Sequence, residues 1–181
     1  SSDVCSSDLV QDASAGYYGG ASTTLATWNG HPSNVWGWGV SPAIRINTPF
    51  IAAGDYFVAS MSYTQGAAAW ATSTNSGQKL IWNGQNAGFG TITDGVFRGT
   101  SATDANRTDV QLTTAWSVAA AYEHFWTPAL HTSLYGSYVN VSYNGTARSI
   151  LCDTTAGASN GFGQGTGTVA TGCDPSFSSW N

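Results

Sequence analysis

The side chains able to do chemistry in this chain are few and scattered. Three histidines, His31, His124 and His131, could ligate a metal or carry protons. His124 and His131 flank Thr127-Pro128, so a turn there would bring them near each other. A metal site would need further donors, and neither a Cys nor a carboxylate pair completes one. His124 beside Trp126 reads better as an interfacial residue. No metal and no cofactor is expected. No Gly-x-Ser-x-Gly, phosphate loop or Cys–His arrangement occurs, so no catalytic residue is assigned and the chain is not expected to be an enzyme. Cys152 and Cys173 lie in a Gly/Ala/Thr/Ser-rich segment without metal-ligand neighbours. An even pair in such a loop reads as a disulfide, hence an oxidising compartment, with two free thiols as the alternative. The charged candidates are Arg45, Asp94, Arg98 and Glu123.

These residues need elements to position them, and the clearest runs from Asp109 to Trp126. Val110, Leu112, Trp116, Val118, Ala120, Tyr122 and Trp126 share one parity; small or polar residues, Glu123 among them, occupy the other. Period-two alternation is the pattern of a strand with two unlike faces. A soluble strand usually runs about 5–6 residues, and this alternation lasts more than twice that. A second strand covers residues 36 to 46, with Trp36, Trp38, Val40, Ile44 and Ile46 on one face and Arg45 on the other. Pro42 falls on the apolar parity and predicts a bulge or kink. Strands are also expected over residues 55 to 65 and 130 to 143, the latter with no clear apolar face. Trp36, Trp38, Val40, Ile44, Val110, Leu112, Trp116 and Val118 are predicted to face lipid, with Arg45 and Glu123 facing water on the opposite side. The competing assignment is a soluble or surface-anchored β-sandwich that binds ligands through its long loops.

Composition supports the first of these. Charged residues make up 8% of the 181, against about 25% in ordinary soluble domains, while aromatics reach 13%. Disorder needs the opposite balance. No ~20-residue apolar run exists, so no transmembrane helix is expected. A net charge of −5 with five scattered basic residues offers no stripe for nucleic acid. The connections after the short turns at residues 48 to 54 and 126 to 129 are long, roughly 66 to 107 and 144 to 177. Short turns at one end and long loops at the other suit an outer-membrane barrel. Asn106-Arg107-Thr108 and Asn144-Gly145-Thr146 match glycosylation sequons and here mark only surface loops. Residues 1–9, Ser-Ser-Asp-Val-Cys-Ser-Ser-Asp-Leu, carry no initiator Met and no signal-peptide pattern. They look like the translation of a sequencing-library adapter and are set aside with Cys5, leaving residues 10–181 as one partial domain that is expected to start in mid-protein.

Trp36-Gly37-Trp38-Gly39-Val40, Asn47-Thr48-Pro49, Gly54-Asp55-Tyr56, Ala87-Gly88-Phe89-Gly90, Leu112-Thr113-Thr114-Ala115-Trp116-Ser117 and Tyr122-Glu123-His124-Phe125-Trp126 form an ordered set. Ser133-Leu134-Tyr135-Gly136, Tyr143-Asn144-Gly145 and the Cys152…Cys173-Asp174-Pro175 loop extend it. Through these pieces the chain resembles the alphaproteobacterial, rhizobial-type general porins. The resemblance implies an all-β, antiparallel transmembrane β-barrel wall, here about six strands of a sixteen-stranded barrel. It further implies an outer-membrane location, a homotrimer when full length, and passive diffusion of small hydrophilic solutes and ions. The sequence departs from that pattern in ending without a closing aromatic strand.

The segment from Gly66 to Arg107 completes the expectations. Gln65 and Asp109 both lie on the long-loop side, so the segment crosses the sheet region twice or not at all. Leu80-Ile81-Trp82 is too short for a crossing and residues 88 to 97 are interrupted by glycines. The expected outcome is a loop folded into the pore as its constriction, with Asp94 and nearby Arg98 opposing Arg45.

Overall fold

Alternating large and small side chains pleat into one broad antiparallel sheet. The computed structural model describes residues 2–17, 32–72, 79–82, 87–90, 92–98, 108–152 and 174–180. In chain order the elements are β1 (Ser2–Asp12), β2 (Ala15–Tyr17), β3 (Trp36–Asn47), β4 (Tyr56–Gln65), α1 (Ala68–Thr72), β5 (Lys79–Trp82) and β6 (Ala87–Gly90). They continue as β7 (Gly95–Phe97), β8 (Gln111–Leu112), β9 (Thr114–Thr127), β10 (Leu130–Ser142), α2 (Gly145–Leu151) and β11 (Phe177–Trp180). The main sheet has six strands in the order β1-β3-β4-β9-β10-β11, antiparallel throughout. A three-stranded sheet, β2-β7-β8, and the β5–β6 hairpin stand apart from it. Among the described residues the main sheet does not close on itself.

The parity reading holds on β3. Trp36, Trp38, Val40 and Ile44 are exposed, while Gly37 and Gly39 on the opposite face are buried. Register carries the same face across the sheet: Val40 lies opposite Tyr63, Tyr63 opposite Trp116, and Val118 opposite both Met61 and Tyr138. Trp38 and Tyr63 meet at 5.6 Å between ring centroids and Trp116 and Tyr138 at 5.2 Å, a tilted aromatic row over four strands. β10 thereby gains the face its sequence left open, since Leu134 and Tyr138 lie beside Tyr122 and Val118. A register shift between Leu130 and His131 sets this phase. Pro42 introduces neither bulge nor register change. The β3–β4 pairing lapses at Ser41 and Pro42 and resumes in the same register at Ala43, while Ser41 and Ser62 hydroxyls bond at 2.8 Å.

Two members of the outward set are misplaced by the parity argument. Val110 and Leu112 do not continue β9. The chain leaves the sheet at Thr113, which is fully buried and turns its polar groups to the loop. Its N–H donates to the Asp94 carbonyl at 2.9 Å and its hydroxyl to the Thr93 carbonyl at 2.8 Å. Leu112 then lies over Gly66, and Val110 over Gly95.

Packing is concentrated at the long-loop end. Ala68 and Ala71 of α1 cluster with Ala115 and Val141 of the sheet, backed by Ile92, Tyr143 and Phe177. Val96 clusters with Ala147, Ile150 and Leu151 of α2. Asn144 caps α2, its Oδ1 accepting from the Ala147 N–H at 2.8 Å. Residues 2–9, set aside on sequence grounds, pair with β3 in an unbroken antiparallel register from Ser2–Ile46 to Leu9–Gly39.

Candidate functional site

The face opposite Trp38 and Val118 is built of small and polar side chains. Along β3 it presents Gly37, Gly39, Ser41, Ala43, Arg45 and Asn47. Beside these stand Ser60, Ser62 and Thr64 of β4, Ala115, Ser117, Ala119, Ala121 and Glu123 of β9, and Ser133, Tyr135, Ser137, Val139 and Val141 of β10. Short side chains leave this face hollow in its middle, with a concavity of about 430 Å³.

At the short-turn end the hollow meets a polar row. Arg45 lies 4.0 Å from the Tyr56 ring centroid and its Nε donates to Asn47 Oδ1 at 3.2 Å. Tyr56 is the cross-strand partner of Glu123, which is paired with His131 Nδ1 and accepts from Ser133 Oγ at 2.6 Å. Arg45 and Glu123 thus share one face, as their parities predict.

At the long-loop end the chain folds back over the same face. The start of the segment after β4 crosses Gly37 so closely that a Cβ there would lie 1.9 Å from the Gly66 oxygen. The Trp70 ring covers Gly39, 2.6 Å from where its Cβ would be. Gly37 admits the loop only as glycine, since backbone opposes it, whereas at Gly39 side chains would have to shift. Gly66 itself has φ 72°, a left-handed turn that glycine adopts without strain. Asp94 fastens the arrangement. Its Oδ1 accepts from the Ala68 N–H at 2.8 Å, and its Oδ2 from Gln11 Nε2 at 3.0 Å and the Ser14 N–H at 3.4 Å.

Asp94 therefore does not oppose Arg45. It sits near Gln11, whose strand partner is Gly37, whereas Arg45 is about eight residues further along β3, roughly 26 Å away. Parity fixes the face a residue points to, not its height on the sheet. Arg98 is also remote from Arg45, its backbone exchanging bonds with Thr108. The crossing question resolves as expected for the described parts: no strand of the segment from Gly66 to Arg107 joins the main sheet.

A buried carboxylate was missed by sequence. Asp55, 1% exposed, closes the turn between β3 and β4. It accepts from Tyr122 Oη at 2.6 Å, pairs with His124 Nδ1 at 2.7 Å and takes the Phe125 N–H at 2.8 Å. The only sequence signal was its place in Gly54-Asp55-Tyr56, unconnected to Tyr122 and His124 until register aligned them. Burial alone would raise its pKa. The Phe125 N–H, then Tyr122 and His124, outweigh that and hold the carboxyl below the ordinary aspartate value. Its stabilising contribution is thus complete above the ordinary range and lost as pH falls through the lowered one. In an NMR titration we expect the Asp55 carboxyl carbon to move below the usual aspartate pH, together with the Phe125 amide. An Asp55→Asn variant should abolish the coupled Phe125 shift.

His124 faces the aromatic side, edge-on to Trp126 at 4.3 Å, whereas His131 faces the polar side, stacked on Phe125 at 5.2 Å. The turn does not join them, and no group of metal-ligating side chains occurs among the described residues. His31 and Cys173 lie outside those residues. Cys152 is buried and disulfide-bonded, and Cys5 is free. No helix is long and apolar enough to cross a membrane, which says nothing of strands. No protein-family model, curated protein or solved structure matches the chain significantly.

Proposed function

We propose that this chain is part of the wall of an outer-membrane porin, a partial transmembrane barrel of the sixteen-stranded type. Its water-filled channel would pass small hydrophilic solutes and ions, and the whole protein would assemble as a homotrimer. One observation carries the reading. On β3, β4, β9 and β10 the exposed face bears aromatic and aliphatic side chains and no Asp, Glu, Lys or Arg, while Arg45 and Glu123 occupy the face onto which the loop folds. A soluble protein rarely leaves an apolar patch of that extent bare. Trp116 and Trp126 mark its two edges on β9. They are about ten residues, hence roughly 33 Å, apart along the strand. A tilt of roughly 40° reduces that to about 25 Å, the height of a barrel's apolar band.

One charge falls on the apolar parity of β1, Asp8. It sits opposite Val40, on the parity of Val4 and Ile44, where a lipid-facing charge is unfavourable. The test takes the complete reading frame into lipid. Single-Trp variants retaining Trp38 or Trp116 should be quenched by brominated acyl chains, and one retaining Trp70 should be protected. Planar bilayers should register stepwise conductance. A protein soluble without detergent, unquenched and silent in bilayers, would instead be a loop-binding sandwich.

A further inference from the structure

We propose that the hollow on the polar face is a subsite for small solutes bearing an oxyanion, a carboxylate or a phosphate, with Arg45 as its anchor. This rests on the pore reading above and names what the pore would favour. Arg45, Val58, Ala121 and Tyr135 form one row across four adjacent strands. Three interstrand spacings set Arg45 and Tyr135 about 14 Å apart. Between them the floor is Val58 with Ala43, Ser60, Ala119, Ala121 and Ser137, mostly side chains too short to fill the space. The result is the concavity of about 430 Å³, bounded at one end by Arg45 with Asp3 and Cys5 of β1 beyond it, and at the other by a phenol ring, 77% exposed.

Arg45 is available to an anion. It is exposed, and among the described residues no carboxylate lies within ion-pair distance of it. Stacking on Tyr56 and the bond to Asn47 hold the guanidinium in place without neutralising it. Glu123 on the same face is already engaged by His131 and Ser133. Asp3 stands opposite Arg45 on β1 and forms no ion pair with it. A guanidinium fork accepts a carboxylate or phosphate through two parallel N–H donors. Tyr135 offers a flat ring for the body of a sugar-sized solute.

The experiment uses the full-length protein in planar bilayers, with inorganic phosphate and glucose 6-phosphate as probes. Phosphate should reduce the wild-type current, and the zero-current potential in a KCl gradient should report anion preference. Arg45→Gln should weaken the phosphate effect about tenfold, the equivalent of one charge-assisted contact, and move the potential toward cations. Arg45→Lys should keep the ion preference but lose part of the phosphate effect, because an ammonium lacks the fork. Tyr135→Ala should weaken glucose 6-phosphate more than phosphate. Phosphate without effect on wild-type channels would overturn the proposal, as would Arg45→Gln channels with unchanged selectivity. A wild-type protein that opens no channels would overturn the pore reading and this inference together.

Discussion

Replacing Gly37 with valine is expected to lift the loop that begins at Gly66 off the polar face of the sheet. On strand propensity alone, valine should stabilise β3. The steric effect has the opposite sign and is larger. The first added carbon would lie 1.9 Å from the Gly66 oxygen and 2.4 Å from its carbonyl carbon, and backbone cannot rotate aside as a side chain can. Gly39 differs in this respect. A Cβ there would meet the Trp70 ring at 2.6 Å and the Thr64 methyl at 2.7 Å, side-chain rather than backbone atoms, of which the half-buried Trp70 ring is the one able to move. The expected order of damage is therefore Gly37→Val over Gly39→Val, with overpacking costs of roughly 1–3 kcal/mol for the first. Gly145→Ala is the control, since a Cβ there has nothing within 4 Å. The readout is amide exchange of Ala67, Ala68 and Ala71, all buried in the native arrangement. In Gly37→Val these amides should exchange with solvent far faster, and the Trp70 emission should shift to the red. Unchanged protection of Ala67 and Ala68 would show that the close approach is not what seats the loop.

Much of the sheet was legible because one face of each strand differs in kind from the other. Trp36, Trp38, Val40 and Val118 stand out from Gly37, Gly39 and Ser117 without any knowledge of partners. What alternation could not reveal is where a strand stops. Val110 and Leu112 keep the rhythm of Trp116 and Val118, yet Thr113 spends its N–H and hydroxyl on the loop rather than on the sheet. Nothing in the spacing of apolar residues marks that departure. The face of β10 was hidden for a different reason. Its phase depends on the shift between Leu130 and His131, and one residue of slip exchanges the two faces. Height along the strands is equally hidden, so parity alone does not separate Asp94 from Arg45, although they belong to opposite ends of the sheet. The Asp55 cluster needed register as well. Its partners lie 67 to 70 residues away in sequence and meet it only because β4 pairs with β9.

Asp94 carries the second large effect, and its role follows from what it bonds rather than from its charge facing a pore. Its two carboxylate oxygens accept three donors drawn from β1, the approach to β2 and the start of α1. Its own backbone adds two more links, N–H to the Ser14 carbonyl at 3.1 Å and carbonyl from the Thr113 N–H at 2.9 Å. Alanine would leave the backbone links and remove the side-chain ones. Ala68 is fully buried, so its N–H would lose its acceptor without gaining water. An abandoned buried donor costs about 1–3 kcal/mol, and bonds to a charged acceptor lie at the upper end. Asparagine is the finer probe. Its carbonyl oxygen can still accept from the Ala68 N–H, but its NH₂ would face the Gln11 amide and the Ser14 N–H, donor against donor. We therefore expect Asp94→Ala to free α1 and Asp94→Asn to loosen it by a smaller amount. If the proposed pore forms, the signature in a bilayer is a noisier, larger single-channel current with ion selectivity little changed, because Asp94 and Arg45 stand at opposite ends of the sheet. A clean shift in selectivity with an unaltered conductance and steady current would reverse this assignment, and would make Asp94 a charge that acts on passing ions rather than a fastening of the loop.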